Sequence, residues 1–191
     1  MDYFANDELI VPERGDLLIS EPYLPDPNFE RTVIYLCEHD ENGSFGFVLN
    51  RKSENSLEDL IGVSGFDSEV YVGGPVQQDT LHFLHNSNLK LEVNKEISDG
   101  IHWGIDFEGL ISGIENKLID PKDVKFFVGY SGWSVDQLND EVKAKSWIVC
   151  KNVSQEMVFD TNASDLWKKI LKTMGGKFRV ISNYPEDPRL N

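Results

Sequence analysis

Three groups of residues in this chain have types and spacings that could support chemistry. The first is Cys37-Glu38-His39, at the end of an apolar run. Along a strand, residues two apart share a face, so Cys37 and His39 would project together while Glu38 points away. A thiol beside an imidazole can lose its proton and act as a nucleophile or redox sensor. Against this stands a core cysteine, since cysteine is among the most buried residue types. The second group is Gly129-Tyr130-Ser131-Gly132-Trp133, between an expected strand and an expected helix, which is the setting of a nucleophile elbow. Trp133 stands where that pattern needs glycine, and all four histidines (His39, His82, His85, His102) precede Ser131, against the hydrolase chain order. A tight turn whose glycines allow close packing, anchored by Trp133, is the better account.

The third group is charged and polar: Asp26, Arg31, Glu38, His39, Asn50 and Arg51, at the ends of the first strands. Arg31 begins one strand and Arg51 ends the next, so an antiparallel hairpin brings them together. Two guanidinium groups repel unless an anion or a carboxylate lies between them. The pattern therefore points either to a site for an anion or acidic peptide, or to a salt-bridge network with Asp26 or a nearby Glu.

Metal and nucleotide chemistry find little support. His82 and His85 are three apart in an expected strand and so face opposite ways. Neither a Cys-x-x-Cys pair nor a His-Glu-x-x-His helix occurs. Gly73-Gly74-Pro75 lacks the Lys-Ser/Thr of a phosphate loop and reads as a turn. No metal and no cofactor are expected.

The elements that must position these residues are short. Strands are expected at Asp16–Ser20, Thr32–Cys37, Phe45–Leu49, Val70–Val72 and Leu81–Leu84, each bounded by Gly, Pro, Asn or Asp. Further strands are expected at Leu89–Val93, Ile101–Trp103, Val124–Tyr130, Trp147–Lys151 and Phe178–Ile181. Asn42-Gly43 marks a hairpin within Glu41–Ser44. Helices have start signals: Ser56 before Leu57–Ile61, Asp106 before the stripe Phe107, Leu110, Ile111, Ile114, and a Ser134/Gln137 capping box. The clearest helix carries Ala163, Leu166, Trp167, Ile170, Leu171 and Met174, and Gly175-Gly176 ends it. Strands crowd the first half and helices come late, which argues for one α+β domain over residues 15–191, preceded by a loosely docked arm at 1–14.

Composition narrows the partners. Thirty-three acids against 18 bases give a formal net charge of −15. That field repels phosphate backbones and anionic membrane surfaces, so nucleic acid and membrane are disfavoured. The two cysteines, Cys37 and Cys150, lack a secretory context and read as reduced thiols; the N-terminus carries acids where a signal peptide needs bases. The expected location is the cytoplasm.

The opening Gly15-Asp16-Leu17-Leu18-Ile19-Ser20-Glu21-Pro22, then Asp26-Pro27-Asn28-Phe29-Glu30-Arg31-Thr32 and the strand ending in Glu38-His39, resembles the AlgH/YqgE-like family of bacterial proteins. Gly46-Phe47-Val48-Leu49-Asn50-Arg51, Gly73-Gly74-Pro75-Val76, His85, Gly129–Trp133, Gln137-Leu138, Glu141 and Trp147 continue the match in order, so that it covers about residues 15 to 180. The chain departs from many relatives at Ser131, where they carry Ala. The resemblance implies a mixed, strongly curled, barrel-like sheet flanked by helices, and a family without an established biochemical activity. Its "transcriptional regulator" label describes a phenotype, and the net charge gives no support to DNA contact. The family-matching residues are turn formers, aromatics and arginines without a complete catalytic set. The reading is therefore a regulatory or interaction protein, binding a protein partner or small anionic ligand through Asp26, Phe29, Arg31, Glu38, His39, Asn50, Arg51, Trp133 and Gln137. The alternative is an enzyme or redox sensor using Cys37 with His39.

Overall fold

In the computed structural model, which describes residues 10–86 and 88–187, the first three apolar runs form β1 (Leu17–Ser20), β2 (Val33–Asp40) and β3 (Gly43–Val48), paired antiparallel as a meander. The expected hairpin is present, with Asp40 opposite Gly43 and Glu41-Asn42 between them. The other strands are β4 (Val70–Val72), β5 (Val76–Asn86), β6 (Asn94–Ser98), β7 (Ile101–Gly104), β8 (Val124–Trp133) and β9 (Trp147–Cys150). They join in the order β6-β7-β5-β8-β3-β2-β1-β9, with β4 lying parallel to β8. The result is an α+β domain whose mixed sheet curls strongly into a half-barrel.

Among the described residues six α-helices flank the sheet: α1 (Leu57–Ile61), α2 (Phe107–Glu115), α3 (Gln137–Lys143), α4 (Gln155–Phe159), α5 (Ala163–Met174) and α6 (Gly176–Ile181). Leu17, Ile19, Val33, Tyr35 and Phe47 pack with α5, while Leu18, Ile34, Leu36 and Val48 pack with α3. Both faces of β1 and of the Val33–Cys37 part of β2 are therefore buried, which is why these stretches read as continuous apolar runs instead of alternating. Trp167 of α5 fastens that helix to the sheet by donating its indole N–H to the Ser20 carbonyl at 3.0 Å. None of the helices among the described residues is long and apolar enough to cross a membrane.

Strand β8 is the spine. Its first half pairs with β5 on one edge and β4 on the other, and Ser131–Trp133 then pair with β3. The hand-over happens at Gly73, whose N–H donates to Val128 and whose carbonyl accepts from the Val48 N–H and the Ser131 hydroxyl. Opposite this junction β5 bulges: Val76 faces Tyr130 but Leu81 faces Val128, so the residues between them loop outward.

Four local expectations are corrected. Gly129–Trp133 lies within β8 and is not a turn: Gly129 has a left-handed φ of +66°, and Ser131–Trp133 beyond it pair with β3. Phe178–Ile181 lies in α6; Phe178 and Ile181 are one helical turn apart and both pack into the core cluster that holds α5, an arrangement a four-residue apolar run does not distinguish from a strand. Leu89–Val93 is not a strand; Leu89 is buried beside α2 as a loop anchor, and the strand begins later in the polar edge segment Asn94–Ser98. The Ser134/Gln137 box forms by half: Gln137 Oε1 accepts from the Ser134 N–H at 2.9 Å, but Asp136 takes the N-cap position with a left-handed backbone. Of the expected arm, residues 1–9 lie outside the described residues, and Glu13 is tied down by an ion pair with Lys151.

Candidate functional site

The cysteine reading depended on strand alternation, and the register breaks there. Leu36 pairs with Gly46 and Glu38 with Phe45, so a bulge falls at Cys37 and the two-residue periodicity linking it to His39 is lost. Cys37 is buried, its Sγ 3.6 Å from the Tyr35 carbonyl oxygen, and burial pushes its thiol well above the usual range. Cys150 is pushed up to about 11, again by burial. His39 turns its Nδ1 to the Ser44 hydroxyl at 2.6 Å. Desolvation of this kind is the reverse of thiolate activation. In a Cys150→Ser background, Cys37 should alkylate at least about 100-fold more slowly in the native protein than when unfolded, as expected for a group reached only by opening. Rapid labelling of the native protein below pH 7 would contradict this.

Main-chain carbonyls meet both arginines, but Arg31 only through Nη2: its buried Nε and Nη1 have no hydrogen-bond partner among the described residues. Arg31 Nη2 donates to the carbonyls of Tyr184 and Pro185 at 2.8 and 2.6 Å, and the guanidinium lies 4.6 Å over the Trp167 ring. Arg51 donates to the Pro27 carbonyl at 2.9 Å and the Glu30 carbonyl at 3.5 Å. Asn50 sits between, accepting from the Val33 N–H and donating to the Arg31 carbonyl. Asp26 caps its own turn through the Asn28 N–H. Asp26, Arg31, Asn50 and Arg51 thus brace the 26–31 turn and the C-terminal segment to the sheet, using carbonyls where carboxylates or an anion were expected.

Phe29, Trp133 and Gln137 meet on the α3 side. The Glu141 carboxylate accepts from the indole N–H groups of Trp133 (2.9 Å) and Trp147 (2.7 Å) through one oxygen, and from Gln137 (2.9 Å) through the other. Phe29 packs edge-on against Trp147. Ser131 is fully buried and donates to Gly73, which makes it a strut and not a nucleophile.

A different set of residues forms an open cleft. Four strands contribute an aromatic wall: Phe45 from β3, His82 from β5, Trp103 from β7 and Tyr130 from β8, with Glu38 and Trp133 beside them, around a volume of about 590 Å³. The cleft opens where β5 bulges away from β8. Gly132 leaves room for the Tyr130 ring, since a side chain there would come within 3.3 Å of it. Burial lowers the His82 imidazole below its ordinary range, so that ring is an uncharged wall at neutral pH. Glu38 forms an ion pair with Lys95 of β6, the strand paired with β7. Glu38 and Trp133 are thus the expected site residues that the structure brings to this cleft. Phe45 and Trp103 were not singled out by sequence, and His82 and Tyr130 were weighed only for metal binding and as part of a turn, although Phe45 and Phe47 at alternate positions carry the signal of an aromatic strand face.

Two further groups lie outside the cleft lining. His85 and His102 stack with ring centroids 5.0 Å apart, and burial lowers His85. Among the described residues, no cluster of His, Cys, Asp and Glu is arranged to hold a metal ion. Lys125, lowered to about 7 by burial, donates to the Asp160 carbonyl at 2.8 Å and lies 4.2 Å over the Tyr71 ring, closing the end of α4.

Fold and cleft together define an α+β half-barrel with an aromatic cleft at the seam of its spine strand. The chain belongs to the AlgH-like family, whose model matches residues 17–179. It is 42% identical over 180 residues to a UPF0301 protein of Cytophaga hutchinsonii, covering 93% of this chain and 98% of that one. A UPF0301 protein of Chlorobium limicola is 39% identical, covering 93% and 95% of the respective chains. The solution structure of the AlgH protein from Pseudomonas aeruginosa superposes with a TM-score of 0.70 at 26% identity, covering 94% of this chain and 98% of that one. A Corynebacterium diphtheriae crystal structure shares the fold at a TM-score of 0.78 and 20% identity, covering 93% and 95%.

Proposed function

We propose that this protein is a binding protein for a small organic ligand, held in the aromatic cleft, with the arginine cluster serving the fold. One observation carries the reading: Phe45, His82, Trp103 and Tyr130, from four strands, converge on one cleft of about 590 Å³. That volume falls in the range of small-molecule sites, which combine apolar and aromatic walls with a few polar groups. Exposed aromatic faces are costly to leave in water, and a ligand that covers them recovers the burial. Regulation through such a ligand, in the cytoplasm, fits the acidic and thiol-bearing composition.

A second reading has its own observation. Ser44 lines the cleft and its hydroxyl lies 2.6 Å from His39 Nδ1, the contact an activated serine makes. Among the described residues no carboxylate is hydrogen-bonded to His39, so the orienting third group is missing, and the pair is also what a cross-strand His39–Ser44 register produces. Binding is the better account.

The test is a titration of the intact protein with a panel of small cations, anions and neutral compounds, followed by tryptophan fluorescence and calorimetry. Saturable binding by one class, weakened by Phe45→Leu, is the expected result. No saturable response from any class would sink the reading. Consumption of an ester in the panel, abolished by Ser44→Ala, would replace it with the second.

A further inference from the structure

We infer that the cleft takes a small molecule bearing an alkylated ammonium group, caged by Phe45, Trp103 and Tyr130 with Glu38 as the counter-charge. This deepens the binding reading above and rests on it. The four aromatic rings form a closed circuit. Phe45 stands 5.0 Å from Trp103 and 6.0 Å from Tyr130, at interplanar angles of 62° and 79°. His82 completes the circuit, 6.1 Å from both Tyr130 and Trp103, at 87° and 44°. The rings pack edge to face with one another, and all four border the cleft. Each face carries the negative part of the ring quadrupole, and a cation within about 6 Å of a centroid is attracted to it.

Charge points the same way. Glu38 is the carboxylate on the wall, and neither Lys nor Arg lines the cleft. The formal net charge of −15 concentrates cations near the surface and repels anions. An alkylated ammonium group matches these walls better than a primary one, because its methyl groups bury against rings and it asks for no hydrogen-bond acceptors. Glu38 already pairs with Lys95, which sits on β6 outside the lining, so the ligand's cation would have to take that lysine's place. The polar rim at Asn42, Ser44 and Gln77 receives the remainder of the molecule.

The experiment compares choline with its uncharged isostere, 3,3-dimethyl-1-butanol, on the intact protein by calorimetry, and then repeats both on Phe45→Leu. Choline should bind saturably and about tenfold or more tighter than the isostere, in line with a desolvated cation–π contact. Phe45→Leu, which keeps an apolar side chain but removes a π face, should weaken choline about tenfold and leave the isostere unchanged. Equal binding of choline and the isostere would overturn the cation inference while the binding reading stands. So would equal loss of both on Phe45→Leu. Silence from choline alongside saturable binding of a carboxylate would overturn the inference and redirect the cleft to anions. Silence from every class would overturn both.

Discussion

Gly74→Ala lowers the unfolding free energy by about 4 kcal/mol, summing a strained backbone and a backbone collision. Gly74 has φ of +156°, and a Cβ there would lie 2.3 Å from both the carbonyl carbon and the oxygen of Tyr130 and 2.4 Å from the Ser131 nitrogen. The atoms it meets are main chain in the middle of β8, so no side chain can rotate out of the way. Gly65→Ala is the control. Its φ is also positive, at +74°, but a Cβ there meets nothing within 4 Å, so its cost is conformational, about 1 kcal/mol. The difference between the two midpoints in urea isolates the close approach of Gly74 to the spine strand. A domain of ordinary stability holds about 5–15 kcal/mol in reserve, so the Gly74 variant should be visibly destabilised at 37 °C. A loss below about 1 kcal/mol would mean that the β4–β5 link moves freely and that the seam is not a rigid junction.

Glu141→Ala costs about 3 kcal/mol, because three donors lose one acceptor group. The indole nitrogens of Trp133 and Trp147 belong to buried rings and both point at the same carboxylate oxygen, while Gln137 takes the other. With alanine at 141 the two indole N–H groups face a space without an acceptor, and an unmade buried hydrogen bond costs more than a made one contributes. Glu141→Gln should lose roughly half as much, since its amide oxygen can still receive the indoles although the charge is gone. Both variants are read by denaturant unfolding followed in the far ultraviolet, so that changed tryptophan emission does not confuse the result. Equal stability of the alanine variant and the native protein would place α3 outside the cooperative unit. The same geometry accounts for the order Trp133, Gln137, Glu141, Trp147 in the chain: these are the residues that lock α3 against β8 and β9.

Much of the architecture was legible because its causes are local. Leu17–Ser20, Val33 onward and Trp147–Cys150 are apolar runs bounded by turn formers, and each is a strand. Ser56 and Asp106 accept from the N–H groups of Asp59 and Gly109, as their capping positions predicted, and the α5 stripe buries Leu166, Trp167, Ile170 and Leu171. Errors occurred where a short run suits two structures. Phe178–Ile181 has apolar residues at a spacing that serves helix or strand, and packing beside α5 decides for helix. Gly129–Trp133 has the glycines of a turn, and Gly129 does take a left-handed φ of +66°, yet Ser131–Trp133 run on as strand because β3 pairs with them from far away in sequence.

The chain's own sequence determined its class, its family membership and its charge, since composition, caps and motif order are properties of short stretches and of their sum. It also brought attention to Glu38 and Trp133, which stand at the cleft. Tertiary structure alone decided what these residues do. A single bulge at Cys37 shifts the phase of β2, which breaks the link between thiol and imidazole and sets Glu38 opposite Phe45. Main-chain carbonyls from Pro27, Tyr184 and Pro185 reach Arg51 and the Nη2 of Arg31 from distant segments. The aromatic circuit gathers residues 45, 82, 103 and 130 onto one cleft only because β8 changes partners at Gly73 and β5 bulges opposite it. Register, bulges and the meeting of remote carbonyls arise from long-range pairing, and no local pattern of side chains encodes them.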